Sequence, residues 1–251
     1  MDVSIRNLSV SYGKREVLHA VSLDVPSGAF VAIVGKNGSG KSTFVSCLGG
    51  FLPHHGEILL NGSHLSDFSG RERARMLSVL PQHIMSPHLT VEDLVSLGRN
   101  PYLPLGKRLS NEDRLWVETA LSEAALSALR SRYVDTLSGG ERRRAYLGMI
   151  LAQNTPLMLL DEATANMDLS VEAYFWNLVS ELREKRDKTV IAVMHNLGDA
   201  VRYADHVALM DEGKLIFFGK TEALLQTALL EKTMNVCRYE ANGEIFFRGN
   251  T

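Results

Sequence analysis

Apolar and polar residues alternate over residues 3–10 (Val3, Ile5, Leu8, Val10) and again over 17–25, on either side of Ser11-Tyr12-Gly13-Lys14. A period of two predicts antiparallel strands joined by that turn. Phe30-Val31-Ala32-Ile33-Val34 is an uninterrupted apolar run that predicts another strand, and Thr43 to Leu48 read as a helix after it. Residues 56–62 predict a short strand closing on the turn pair Asn61-Gly62. A short basic helix from Arg71 to Met76 then leads into the apolar Leu77-Ser78-Val79-Leu80, a strand that ends before Gln82.

Between about residues 88 and 140 the period changes. Val91, Leu94, Val95 and Leu97 have helical spacing, and Ser110 can cap a second helix carrying Leu115, Trp116, Ala120 and Leu121, with Pro101, Pro104 and Gly106 breaking the chain between them. From Pro156 strands and helices alternate: a strand at Leu157–Leu160, a helix with Val171, Tyr174, Phe175, Leu178 and Leu182, a strand at 189–194, a short helix from Val201, and a hairpin of 207–210 with 214–218. Such alternation predicts βα units around a parallel sheet. The tail from Glu222 predicts a short helix and a hairpin at Asn242-Gly243, with no evident chemistry. The expected fold is therefore α/β, a mainly parallel sheet with an N-terminal antiparallel part and an inserted helical lobe. The expected division is a single domain over 1–251: core 1–87 and 156–221, lobe and following helix 88–155, tail 222–251.

Composition changes this picture little. The 251 residues can bury a substantial core, and 27 Lys+Arg against 29 Asp+Glu give no general electrostatic grip on nucleic acid. Cys47 and Cys237 cannot build a disulfide framework, which fits a reducing compartment. No secretory pattern follows Met1, and no apolar run approaches the roughly 18 residues needed to span a bilayer.

Chemistry enters at Gly35-Lys36-Asn37-Gly38-Ser39-Gly40-Lys41-Ser42-Thr43, which follows the apolar run and fits G-x-x-x-x-G-K-[ST]. The glycines let the backbone aim N–H groups at phosphates, Lys41 supplies a cation, Ser42 a hydroxyl for Mg²⁺, and the following helix its N-terminal dipole. Asp161 ends a second buried strand and can reach the metal directly or through water, while Glu162 is free to polarise an attacking water. Leu137-Ser138-Gly139-Gly140-Glu141 enters the next helix as a second anion cradle. One nucleotide does not need two cradles, so the second is expected to serve a nucleotide held by another copy of the chain.

In this order the residues resemble the ATP-binding cassette of ABC transporters: the phosphate loop 35–42, Gln82, Leu137–Glu141, Asp161-Glu162, Asp168 and His195. The resemblance implies that Tyr12 stacks on adenine, that Ser42, Asp161 and Gln82 hold Mg²⁺, that Ser138 and Gly140 meet the partner's ATP, that Asp168 lies at the dimer seam, and that His195 contacts the γ-phosphate. Residues 74–82 and 90–102 resemble the type serving ferric siderophore, haem and cobalamin uptake. Implied partners are a second copy, transmembrane permease subunits at the cytoplasmic membrane face and, through them, an extracytoplasmic binding protein. The competing class is a soluble ATPase acting on nucleic acid or ribosomes.

Three positions depart from the family pattern: Ala163 where proline is usual, Asn196 where aspartate commonly follows the histidine, and the run Arg142-Arg143-Arg144. The arginine run is expected to be a solvated helix face. His54, His55, His64, His83 and His88 lack ligand spacing and are expected to be solvated loop residues.

Overall fold

The alternating segments become β1 (Val3–Tyr12) and β2 (Arg15–Val25), an antiparallel pair. Their reversal is tighter than the sequence predicts. Tyr12 stays in register opposite Arg15, and Gly13-Lys14 alone make the turn, with Gly13 at φ 62°. A computed structural model describes residues 1–104, 106–165 and 167–250; Asn166, within the segment after Glu162, lies outside them. The apolar run forms β3 (Phe30–Gly35), followed by α1 (Lys41–Leu48). β4 (His55–Leu60) and β5 (Ser63–His64) complete a four-stranded antiparallel sheet ordered β2-β1-β4-β5.

After α2 (Gly70–Met76) and β6 (Leu77–Leu80) comes the helical lobe, built from α3 (Val91–Leu97), α4 (Asn111–Glu123) and α5 (Gly139–Gln153). Thr90, Ser110 and Ser138 each close a capping box on the acidic residue three positions later. Such a cap contributes roughly 1 kcal/mol and fixes where the helix begins. In α4 the buried face is Asp113, Val117, Ala120 and Leu121, while Leu115, predicted to be on that face, is exposed. Asp113 is buried because it accepts from Arg99 Nε at 2.9 Å, and Arg99 also donates to the Ala152 carbonyl at 2.7 Å, so the pair bolts the three helices together.

The chain continues through β7 (Leu157–Asp161), α6 (Leu169–Arg186), β8 (Thr189–Val193), α7 (Leu197–Tyr203), β9 (His206–Asp211) and β10 (Lys214–Lys220). These strands form a six-stranded sheet ordered β10-β9-β3-β8-β7-β6, parallel except for β10. Phe30, Ala32 and Val34 face one core with the lobe, α6 and α7; Val31 and Ile33 face the other with α1 and the antiparallel sheet. Each large side chain so buried contributes about 1.5–3 kcal/mol. On α6 Phe175, Leu178 and Leu182 are buried as predicted, but Trp176 joins them against Phe30 and Phe175 while Tyr174 turns outward. Helix α7 begins four residues earlier than predicted because Asn196 caps it. Helices α8 (Thr221–Leu225) and α9 (Leu229–Met234) lead to the hairpin of β11 (Val236–Ala241) and β12 (Glu244–Gly249), turned at Asn242-Gly243 with both φ positive.

The loops beyond the C-terminal ends of β3, β6, β7 and β8 converge at one edge of the main sheet. In an open parallel sheet that edge is where ligands bind.

Candidate nucleotide site

The loop after β3 encloses a cleft of about 510 Å³ whose wall includes Asn37, Gly38, Gly40, Lys41, Ser42 and Thr43. Two glycines explain its tightness. A Cβ on Gly35 would sit 2.2 Å from the Met210 carbonyl, and Gly40 takes φ 95° where the loop passes into α1. Lys41 is only 5% exposed, and its Nζ donates to the carbonyls of Gly35 (2.8 Å) and Lys36 (2.9 Å). Desolvation holds its pKa below the usual lysine value, with Glu162 and Asp161 opposing that shift. Ser39 Oγ is buried inside the loop with no hydrogen-bond partner, a polar atom awaiting a ligand or solvent.

The opposite wall gathers Gln82, Glu162 and His195, which the chain keeps far apart in sequence. Gln82 Nε2 donates to Glu162 Oε2 at 2.5 Å, and His195 Nε2 lies 2.6 Å from Glu162 Oε1. Glu162 itself adopts φ 50°, a left-handed conformation that non-glycine residues seldom hold and that costs about 1–3 kcal/mol. Asp161, one residue earlier, turns the other way and accepts from Ser42 Oγ at 3.0 Å. Burial raises the Asp161 pKa, and the Ser42 hydrogen bond works against it.

The set Ser42 hydroxyl, Asp161 carboxylate and Gln82 amide consists of hard oxygen donors, the kind Mg²⁺ takes. Among the described residues no three His, Cys, Asp or Glu side chains cluster as a metal cage. A cation that draws most of its coordination from phosphate and water fits such a sparse set. His88 is exposed, as the sequence predicts, and in that position contacts Asp135 at 2.9 Å and stacks on Tyr133.

Tyr12 does not line the cleft. It is 54% exposed at the end of β1, and Arg15, its register partner, lines the wall with Val17. No motif in the sequence marks Arg15 or Val17; only the tight Gly13-Lys14 turn places them there. Ser138, Gly139, Gly140 and Glu141 lie elsewhere, around a separate cavity of about 250 Å³ with Arg144, Met167, Asp168 and Val171. The two cavities share no lining residue.

The family model described as ABC transporter matches residues 18–165, more than half of the chain. The chain belongs to the ABC transporter family. It is an ATP-binding cassette with ATPase activity. The cassette is similar to the ferric enterobactin transport ATP-binding protein FepC of Escherichia coli (strain K12), 39% identical over 227 residues that make up 90% of this chain and 84% of that protein. It is also similar to the hemin import ATP-binding protein HmuV of Nocardia farcinica (strain IFM 10152), 39% identical over 220 residues, 87% of this chain and 75% of that one. Among solved structures, the dimeric structure of MJ0796, a bacterial ABC transporter cassette, matches with a TM-score of 0.78 at 25% identity over 87% of this chain and 98% of that chain.

The departures from the family pattern now have local explanations in two of three cases. Asn196 Oδ1 accepts from the backbone N–H groups of Gly198 (3.0 Å) and Asp199 (3.3 Å), the cap an aspartate would also provide. Replacing Asn196 by Ala is expected to lower unfolding stability by about 1 kcal/mol, read as an earlier urea midpoint, whereas Asp at that position should leave it nearly unchanged. The arginine run is not the solvated face the sequence predicts: Arg143 is 8% exposed and points inward. Ala163 is fully buried, and nothing in the structure explains the absence of proline there.

Proposed function

We propose that this cassette hydrolyses ATP to energise an importer for ferric siderophore, haem or cobalamin, as a homodimer bound to permease subunits at the cytoplasmic membrane face. The observation that carries the dimeric reading is the separation of the two cradles. Ser138 and Gly140 sit at an α-helix N-terminus and line a cavity that shares no residue with their own chain's cleft, so they suit a nucleotide presented by a second copy. The MJ0796 cassette, whose structure is dimeric, supports a dimer here. FepC and HmuV, named for ferric enterobactin and hemin, support the siderophore and haem arms. Among the described residues no helix is long and apolar enough to cross a membrane, so in this reading a separate permease spans it, met by the lobe of residues 88–155. The permease in turn receives cargo from an extracytoplasmic binding protein.

In this reading the loop N–H groups and Lys41 bind the β- and γ-phosphates, and Ser42, Asp161 and Gln82 hold Mg²⁺, which when bound neutralises charge on the phosphate oxygens. The Tyr12–Arg15 corner faces the base. Glu162 accepts the proton of the attacking water. In the structure its carboxylate is occupied by Gln82 and His195. Closure of two copies frees it: Gln82 and His195 turn to the phosphate and the water takes their place. Asp168, beside the second cradle, lies at the seam where the copies meet.

Uptake of labelled ferric siderophore, haem and cobalamin in a strain lacking this protein tests the reading. Wild type should restore uptake of at least one cargo, and Lys41→Ala of none. Full uptake of all three without the protein would overturn it.

A further inference from the structure

Arg143 lies one turn along α5 from Ser138 and Gly140. Its guanidinium is buried, yet none of its hydrogen bonds goes to a carboxylate. Nη1 donates to the carbonyls of Glu162 (3.1 Å) and Ala163 (3.3 Å), and Nη2 donates to the carbonyl of Gln82 (3.1 Å). A buried cation is costly unless its donors are satisfied, and here they are satisfied by main chain from two separate loops. The planar fork is what permits this: two ends of one rigid group reach two segments at once, which a lysine ammonium cannot do with the same geometry.

The bonded segments are the ones that matter most at the cleft. Glu162 is the residue held at φ 50°, and its own carbonyl is one of the acceptors. Gln82, bonded through its carbonyl to Nη2, uses its side chain to contact the Glu162 carboxylate at 2.5 Å. Unusual backbone conformations persist only where the surroundings over-determine them, and Arg143 supplies such a constraint.

We propose that Arg143 is a positioning residue, fixing the left-handed backbone of Glu162 and tying the Gln82 loop to it so that the helix bearing Ser138 and Gly140 moves as one body with the base of its own chain. This rests on the reading that Glu162 activates water. Its consequence is a physical link between the two nucleotides of a dimer: the start of α5 meets the partner's ATP, and one turn later the same helix sets the geometry at its own.

The test uses the full-length chain with Arg143→Met, Arg143→Lys and Glu162→Gln, turnover being expressed per ATP-binding-competent chain. Arg143→Met should lower kcat by about tenfold to a hundredfold while KM for ATP stays within about twofold, the signature of misplaced rather than missing groups. Arg143→Lys, which keeps one donor end, should recover part of that loss. Added to Glu162→Gln, Arg143→Met should cause much less than its own loss, because most of its effect passes through the group already removed. A wild-type kcat per competent chain in Arg143→Met, with only a lowered melting temperature, would overturn the proposal, as would a full additional loss in the double variant. Normal hydrolysis by Glu162→Gln alone would remove the underlying reading, an outcome distinct from an inactive Glu162→Gln beside a fully active Arg143→Met.

Discussion

Glu162→Gln is expected to lower ATP turnover by about 10²–10⁴-fold while leaving ATP affinity near wild type. The substitution keeps the shape of the side chain and the left-handed backbone at this position. Gln82 and His195 contact the two carboxylate oxygens at 2.5 and 2.6 Å; the amide keeps one acceptor oxygen for Gln82 and turns its NH2 to His195, whose neutral ring nitrogen can accept. What it removes is the capacity to take a proton from water. The phosphate loop is untouched, since Lys41 is anchored by Gly35 and Lys36 and Ser42 by Asp161, so ATP should still bind. Turnover and binding thus separate, and the variant should accumulate as an ATP-bound dimer visible by size-exclusion chromatography with ATP. Hydrolysis within a few-fold of wild type would remove Glu162 from the role of base.

The second large effect belongs to a residue outside that cleft. Gly140→Asp is expected to lower turnover by about 10²-fold or more, because an anion placed on the second cradle repels the partner's phosphates, and such like-charge contacts cost several kcal/mol. Folding should survive the change. A Cβ at Gly140 meets only Val171 Cγ1, at 3.9 Å, and an acidic residue in the first turn of a helix is favoured by the dipole. Each chain's own cleft should also keep its ATP affinity, since Gly140 is not part of that wall. A stable, ATP-binding protein that does not turn over is therefore the expected phenotype, checked by thermal melting, nucleotide titration and phosphate release.

Features written in contiguous residues were legible from the sequence. The phosphate loop, the strand before it and the helix after it needed only the spacing of Gly35, Gly40, Lys41 and Ser42, and the tail hairpin needed only Asn242-Gly243. Features made by tertiary convergence were not. Nothing local to Gln82, Glu162 or His195 says that their side chains touch; their roles came from the resemblance to known cassettes, and the contacts came from the sheet order that brings β6, β7 and β8 side by side. Periodicity misplaced Leu115 and Tyr174 because a helical stripe is wide enough to admit a neighbouring residue, and packing chose Val117 and Trp176 instead. Arg143 was hidden for a simpler reason. Three consecutive arginines look solvated, and only the fold shows that the middle one has carbonyls to satisfy it.

If each nucleotide site is completed by a second copy of the chain, two inactive variants should restore activity to one another on mixing. Glu162→Gln lacks the base but keeps Ser138 and Gly140; Gly140→Asp lacks the second cradle but keeps Lys41 and Glu162. A dimer of one with the other has one site with every group intact and one with both lesions. Equimolar mixing should therefore raise turnover above either parent, to at most about a quarter of wild type for random pairing of a two-fold dimer. Turnover equal to the average of the two parents, with mixed dimers demonstrably formed, would contradict a shared site and return Ser138 and Gly140 to their own chain.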